Sequence, residues 1–370
     1  MSNDLGKILV HNKQFSKALV VFQEILKNNP KDLRANFQMG KIFYELNDLN
    51  KSIFFFNICD QIEPNNPNVL FNLALALQST GKIDEAKKKY LKLISINSRD
   101  IKSYYGLYSL NPNNISSEFY KNLLNLCNDK TISDFERGLI NFIFSKNEIK
   151  KKNLIKEISY LKLAHKQCYN ANLKFNNQSD FYYKNIISRH FNNVKFKNGF
   201  KLENKFNYEK HIFIIGLPRS GSSLVETIIS HNSEKVYSVG EFHGINTSVL
   251  NQVGEIIYSK NFDYTKYNFV IDKKLFQESL IQKYSNFDKD IFVDKSLENF
   301  FNIEIILQFF PNAKFIHTYR NFNDAILGIY KTMLPELSWS HSIKDIIHYS
   351  NLYKKAIEYF KKNILIKYLM

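Results

Sequence analysis

His211-Ile212-Phe213-Ile214-Ile215-Gly216 is a short apolar run rich in β-branched and aromatic side chains. Leu217-Pro218-Arg219-Ser220-Gly221-Ser222-Ser223 follows it, and then a second apolar run, Leu224-Val225-Glu226-Thr227-Ile228-Ile229-Ser230. The first run reads as a buried parallel strand, the second as a helix. A strand, a glycine-bearing turn and a helix start make an anion cradle. The first N–H groups of the helix have no carbonyl one turn earlier, and the helix dipole adds partial positive charge at the same end. The stretch therefore predicts an α/β domain whose ligand sits outside the carboxyl ends of parallel strands.

The turn resembles the triphosphate loop Gly-x-x-x-x-Gly-Lys-Ser/Thr in part. Gly216 and Gly221 have the required spacing and Ser223 takes the last hydroxyl position, but Ser222 stands where the lysine belongs. That lysine reaches the β- and γ-phosphates, so a triphosphate would lose its main positive contact. The positive charge of this turn is Arg219, three residues earlier. Its planar guanidinium clamps two oxygens of one group. The pattern suits a single phosphoryl-type group at the 5′ side of a nucleotide. It also fits a degenerate loop that holds nothing.

Upstream, the chain repeats. Gly6, Gly40 and Ala74 are separated by 34 residues, as are Ala18, Ser52 and Ala86, then Phe22, Phe56 and Tyr90, then Pro30, Pro64 and Ser98. Small residues recur where two helices approach, an aromatic one turn later, and a proline where the second helix ends. This is the tetratricopeptide pattern of helix–turn–helix units. Turns are expected at Asn12-Lys13-Gln14-Phe15, Asn47-Asp48-Leu49-Asn50 and Gly81-Lys82-Ile83-Asp84. A fourth unit starts at Ile101 and breaks at Asn111-Pro112. Such a stack offers a concave surface for a peptide or protein, or packs against the domain that follows. From Ile115 to about Phe206 the apolar spacing stays helical, with Lys150-Lys151-Lys152 as a solvated face or loop and His165 as a structural residue. The polar, basic stretch from Asn192 to Lys210 reads as the entry to a new domain.

Composition narrows the rest. The 51 Lys and Arg against 35 Asp and Glu leave +16, which favours polyanionic or phosphorylated partners. No groove-reading nucleic-acid motif accompanies that charge, so nucleic acid is not expected. Cys59, Cys127 and Cys168 are too far apart for a metal site or a disulfide framework and read as small core residues of a reducing compartment. No signal-like start and no long apolar run occur, so a cytoplasmic protein without a membrane span is expected.

Pro218-Arg219-Ser220-Gly221-Ser222-Ser223-Leu224-Val225-Glu226 resembles the 5′-phosphosulfate loop of sulfotransferases. With the repeats, it is similar to the tetratricopeptide-repeat sulfotransferases and their relatives, the tyrosylprotein sulfotransferases. The resemblance implies helical repeats followed by a P-loop-like parallel-sheet α/β domain. It implies 3′-phosphoadenosine 5′-phosphosulfate (PAPS) as donor, with no metal. Pro218, Arg219, Ser220, Gly221, Ser222 and Ser223 would hold the sulfuryl and 5′-phosphate oxygens. Lys235-Val236-Tyr237-Ser238-Val239-Gly240-Glu241 resembles the strand that ends in the general base, Glu241. Ile291-Phe292-Val293-Asp294-Lys295 would deliver Lys295 to the leaving phosphate; read without the resemblance, Asp294 and Lys295 form a surface pair. Lys314-Phe315-Ile316-His317-Thr318-Tyr319-Arg320 would deliver Arg320 to the 3′-phosphate. A serine eight residues beyond that arginine shares the task in the family; here the position is Gly328. One missing hydroxyl contact to a charged oxygen is worth roughly 1.5–3 kcal/mol, or about one to two decades of affinity.

The expected layout is repeats over 1–110, a helical connecting region over 111–205 and a sulfotransferase-like domain over 206–370. Asn246 to Lys289 would form helices over the site. Trp339 and His341 could line a substrate pocket, but core packing or a loop anchor is the favoured reading. Ile364-Leu365-Ile366-Lys367-Tyr368 would begin another strand, and the resemblance implies further pocket residues after it, so the domain is expected to be incomplete at its C-terminal end. Two function classes follow: sulfuryl transfer from PAPS to an acceptor hydroxyl of protein tyrosine, glycan or another molecule, or a catalytically impaired relative that serves as an interaction module through its repeats. An NTPase or kinase is disfavoured by Ser222.

Overall fold

A computed structural model of the chain describes residues 2–11, 14–46, 48–187, 211–231, 235–241, 245–246, 291–310 and 312–363. The domain entry expected at 192–210, the boundary at 205/206, the helices expected from Asn246 to Lys289 (Asn246 apart) and the strand expected at 364–368 lie outside the described residues, as do Asn12, Lys13 and Asn47 of the expected turns. The described residues cluster as two compact units, Met1–Ala171 and a second that begins at Asn172.

The first unit is all helix: α1 (Asn3–His11), α2 (Phe15–Asn28), α3 (Leu33–Glu45), α4 (Leu49–Ile62), α5 (Pro67–Ser79), α6 (Ile83–Ile96) and α7 (Ile101–Leu110), then α8 (Ser117–Cys127), α9 (Asp134–Lys150) and α10 (Leu154–Ala171). Short polar side chains start several of them. Asp32, Asp48, Asn66 and Asp100 each accept a backbone N–H of the first turn, and Ser133 forms a reciprocal capping box with Glu136. Each such cap contributes about 1 kcal/mol.

The 34-residue columns are packing contacts. Ala18, Ser52 and Ala86 are fully buried, and so are Phe22, Phe56 and Tyr90 to within 1%. The aromatic of one helix lies on the small residue of its partner so closely that a Cβ on Gly6 would come 2.4 Å from Phe22, and one on Gly40 would come 2.7 Å from Phe56. Ser52 is tolerated in the small column because its hydroxyl donates to Gly40 O at 2.8 Å. The fourth segment departs from the period: Gly106, not the residue 34 after Ala74, presses on Tyr90. The core continues without a break through Leu123, Leu126, Leu139, Ile140 and Phe144 of α8 and α9. His165 is buried on α10, and Cys59 and Cys168 are free, buried thiols that burial pushes up to about 12.

The second unit opens with α11 (Leu173–Phe181) and a π-helical turn (Tyr182–Ile187). It then builds a four-stranded parallel sheet from β1 (His211–Gly216), β2 (Val236–Gly240), β3 (Ile291–Asp294) and β4 (Lys314–Thr318), in the order β2-β3-β1-β4. Helices α12 (Ser222–His231), α13 (Ile303–Phe309), α14 (Phe322–Tyr330) and α15 (Ile343–Asn363) accompany it. Ile214, Ile215, Val293 and Phe315 are fully buried in the sheet, as expected for strands covered on both faces. An aromatic cluster of Tyr183, Phe300, Phe301, Tyr349 and Tyr353 packs beside it. Trp339 belongs to the same core: its ring stacks on Tyr349 at 3.7 Å, so it is packing, as the sequence suggested.

The strand order positions the site. The connection leaving β1 runs toward β2 and the one leaving β3 runs toward β4, in opposite directions from neighbouring strands. That is a topological switch point, and it opens a crevice outside the carboxyl ends of β1 and β3.

Candidate active site

Of the residues given a role at the site, Pro218, Arg219, Ser220, Gly221, Ser222, Ser223, Glu241, Lys295 and Arg320 all follow the carboxyl ends of the strands, in the turns and the helix start beyond them. The turn from β1 to α12 needs unusual backbone. Gly216 has φ 156°, Arg219 φ 68° and Gly221 φ 93°. Arg219 is a non-glycine residue in the left-handed region, which costs about 1–2 kcal/mol. Gly216 must be glycine for a second reason: a Cβ there would sit 2.4 Å from Thr318 Oγ1 on β4. At Gly221 an added Cβ would meet nothing within 4 Å among the described residues, so that side of the turn is open among them.

Hydrogen bonds fix the turn. Thr318 Oγ1 donates to Ile215 O at 3.2 Å, so the 2.7 Å contact between Ser220 and Thr318 has Ser220 as donor. Leu224 and Val225 N–H both reach back to Gly221 O. The N–H groups before them, at Ser222 and Ser223, have no carbonyl one turn earlier within the helix. An open space, orphan donors and a helix N-terminus fit a phosphosulfate-type anion. Arg320 Nη1 donates to Arg219 O at 3.4 Å, which brings the β4 arginine to the same turn. Gly328, on α14, faces the Arg219 stem: a Cβ there would lie 3.4 Å from Arg219 Cβ.

Lys295 and Glu241 meet one strand over. Lys295 Nζ stands 2.7 Å from Glu241 Oε1, and Lys295 N–H donates to Gly240 O at 3.0 Å. The side chain of Lys295 is 10% exposed and that of Glu241 54%. Asp294 does not pair with Lys295; its Oδ1 accepts Ser296 N–H at 2.7 Å. The surface-pair reading of Asp294 and Lys295 is therefore set aside, since both residues are buried.

Three participants, Glu226, Ser238 and Thr318, carried no assigned role in the sequence reading. Glu226 on α12 lies 3.6 Å from Lys295 Nζ, and Ser238 on β2 donates to Glu226 Oε1. A signal existed for Glu226: it is the one carboxylate inside an otherwise apolar helical run. Thr318 had none, because its importance comes from the β1–β4 register, which pairs it with Gly216. Among the described residues no group of acidic, histidine and cysteine side chains is arranged to hold a metal ion.

Comparison with known proteins agrees with this architecture. Residues 211–364 match the sulfotransferase family, and residues 33–66 and 67–100 each match a tetratricopeptide repeat. The chain thus carries a sulfotransferase-family α/β domain behind helical repeats. A relative from Aquifex aeolicus (strain VF5), described as an uncharacterized protein, is 25% identical over 165 residues, or 42% of this chain. The matched part is 22% of that relative's length, so the chain spans about a fifth of it. No described helix is long and apolar enough to cross a membrane.

Proposed function

We propose that the second unit transfers a sulfuryl group from PAPS to an acceptor hydroxyl. The observation that carries the reading is the convergence, at one sheet edge, of an open left-handed turn bearing Arg219 with a lysine–carboxylate pair on the neighbouring strands. In this reading the N–H groups of Ser220, Gly221, Ser222 and Ser223, following Pro218, cradle the 5′-phosphosulfate oxygens, and Arg219 clamps them. Glu241, the more exposed member of its pair, accepts the acceptor's proton as the hydroxyl oxygen bonds to sulfur. The sulfur–oxygen bond to phosphate breaks with its electrons on the phosphate oxygen, and Lys295 stabilises that charge. Arg320 takes the 3′-phosphate. Side chains and backbone dipoles supply the positive charge, so the reading asks for no metal.

The test is direct. Adenosine 3′,5′-bisphosphate (PAP) should bind the wild-type chain in a calorimetric titration, PAPS should be converted to PAP, and Arg219→Ala should abolish both. A wild-type protein that neither binds PAP nor forms it from PAPS overturns the proposal.

A second reading draws on Gly328. With bare backbone facing Arg219 where the resembled family has a serine, donor binding is weakened, and the repeats then carry the function by binding a protein or peptide. A partner that depends on residues 1–110 and is indifferent to Glu241→Gln would favour it.

A further inference from the structure

Glu226 belongs to a closed circuit of contacts. Gly240 N–H donates to Ser238 Oγ at 3.2 Å, and Ser238 donates to Glu226 Oε1. Glu226 Oε2 faces Lys295 Nζ at 3.6 Å, and Lys295 N–H returns to Gly240 O at 3.0 Å. The circuit ties the helix that follows the anion turn to the ends of β2 and β3. It leaves one ammonium, 10% exposed, between two carboxylates: Glu241 at 2.7 Å and Glu226 at 3.6 Å.

The two carboxylates differ in kind. Glu241 is 54% exposed; Glu226 is 15% exposed and one of its oxygens is already bonded by Ser238. Resting on the sulfuryl-transfer reading above, we infer that Glu226 is the positioning residue that holds Lys295 on the leaving-group side while Glu241 takes up the acceptor's proton. When Glu241 becomes a neutral acid, its attraction for the ammonium vanishes. Without a second anion, Lys295 would have, among the described residues, no carboxylate left to orient it beside the leaving phosphate oxygen, and a long flexible side chain rotates freely at that moment. Glu226 takes no part in that proton transfer and is itself fixed by Ser238, so the ammonium keeps its place through the step. Preorganisation of this kind acts on the transition state and leaves substrate binding almost unchanged.

Glu226→Gln isolates the charge, because the amide carbonyl can still accept from Ser238. PAP formation from PAPS is measured with water and with a glutamate–tyrosine copolymer as acceptor probes. Glu226→Gln is expected to lower kcat by about tenfold or more with KM for PAPS within about twofold. In a Lys295→Ala background the same substitution should change kcat by less than about twofold, because the group it positions is gone. Ser238→Ala should show a smaller loss of the same type. Trp339 fluorescence reports whether each variant is folded, and if Glu226→Gln is not, Glu226→Asp is read in the same cycle. Equal losses in both backgrounds, or none in either, overturn the inference and leave sulfuryl transfer standing. A wild-type chain that forms no PAP overturns the transfer reading and this inference with it.

Discussion

Gly216 at the end of β1 meets Thr318 at the end of β4 so closely that a methyl group on residue 216 would lie 2.4 Å from Thr318 Oγ1 and 2.6 Å from Thr318 O. One neighbour is backbone and the other is locked by its bond to Ile215 O, so neither can yield. Gly216→Ala is expected to destabilise the second unit by about 3 kcal/mol, from overpacking and left-sided φ strain together. The single tryptophan, Trp339, is buried in that unit and reports its unfolding alone. A urea midpoint by tryptophan fluorescence unchanged from wild type would refute the close approach.

In the repeats, Gly40 and Gly81 offer a contrast of mechanism. A Cβ on Gly40 strikes the buried ring of Phe56 at 2.7 Å, whereas one on Gly81 meets nothing within 4 Å and is opposed only by φ 77°. Gly40→Ala should cost about 1–3 kcal/mol through overpacking, and Gly81→Ala about 1 kcal/mol through backbone strain. Urea unfolding followed by far-UV circular dichroism, in which this all-helical unit dominates, should rank the two in that order.

The legibility of the fold followed its local rules. The repeats could be read because a ring against a glycine is a two-residue requirement repeated at fixed distance; Gly6 with Phe22 and Gly40 with Phe56 appear in the sequence as columns. The strand–turn–helix at 211–231 was legible because its apolar runs and glycines are contiguous. Residues whose roles depend on strand register were not. Thr318 meets Gly216, and Glu226 meets Lys295, only through the order β2-β3-β1-β4, which no local pattern encodes. Gly106 was missed for a similar reason: it presses on Tyr90 from outside the 34-residue period.

Two half-buried titratable groups of the second unit give it an opposed pH response. Burial pushes the Glu304 carboxyl up to about 7, with the 3.2 Å bond from the Tyr359 hydroxyl acting in the other direction. Burial, helped by Lys361, pulls His317 down to about 4 while its ring bonds the Tyr353 hydroxyl. A raised carboxylate contributes stability that is full below its ordinary 4.5 and is lost as pH rises to about 7. A depressed histidine contributes stability that is full above its ordinary 6.5 and is lost as pH falls to about 4. Between roughly pH 4.5 and 6.5 the two slopes oppose. Glu304→Gln should therefore leave stability rising with pH there, by up to about 1 kcal/mol per pH unit, and His317→Gln should leave it falling. Trp339-detected urea midpoints across that window measure both signs; parallel profiles for the two variants would contradict the assignment.

Gly328 sits where a side chain can be added at little cost. An added Cβ would lie 3.4 Å from Arg219 Cβ and 3.6 Å from Arg219 Cγ, which is ordinary contact, and the residue is inside helix α14, where serine is more favourable than glycine. Gly328→Ser would place a hydroxyl beside the arginine turn, on the helix that follows Arg320. If Arg320 and this position jointly hold a 3′-phosphate, the new donor contacts a charged oxygen and should tighten PAP binding by about one to two decades. The gain must depend on that phosphate. Adenosine 5′-monophosphate, which lacks it, should bind wild type and Gly328→Ser alike, and Arg320→Ala should erase most of the gain for PAP. Equal tightening of both nucleotides would mean that the serine acts only by stiffening α14 against Arg219, and would separate the 3′-phosphate site from this helix.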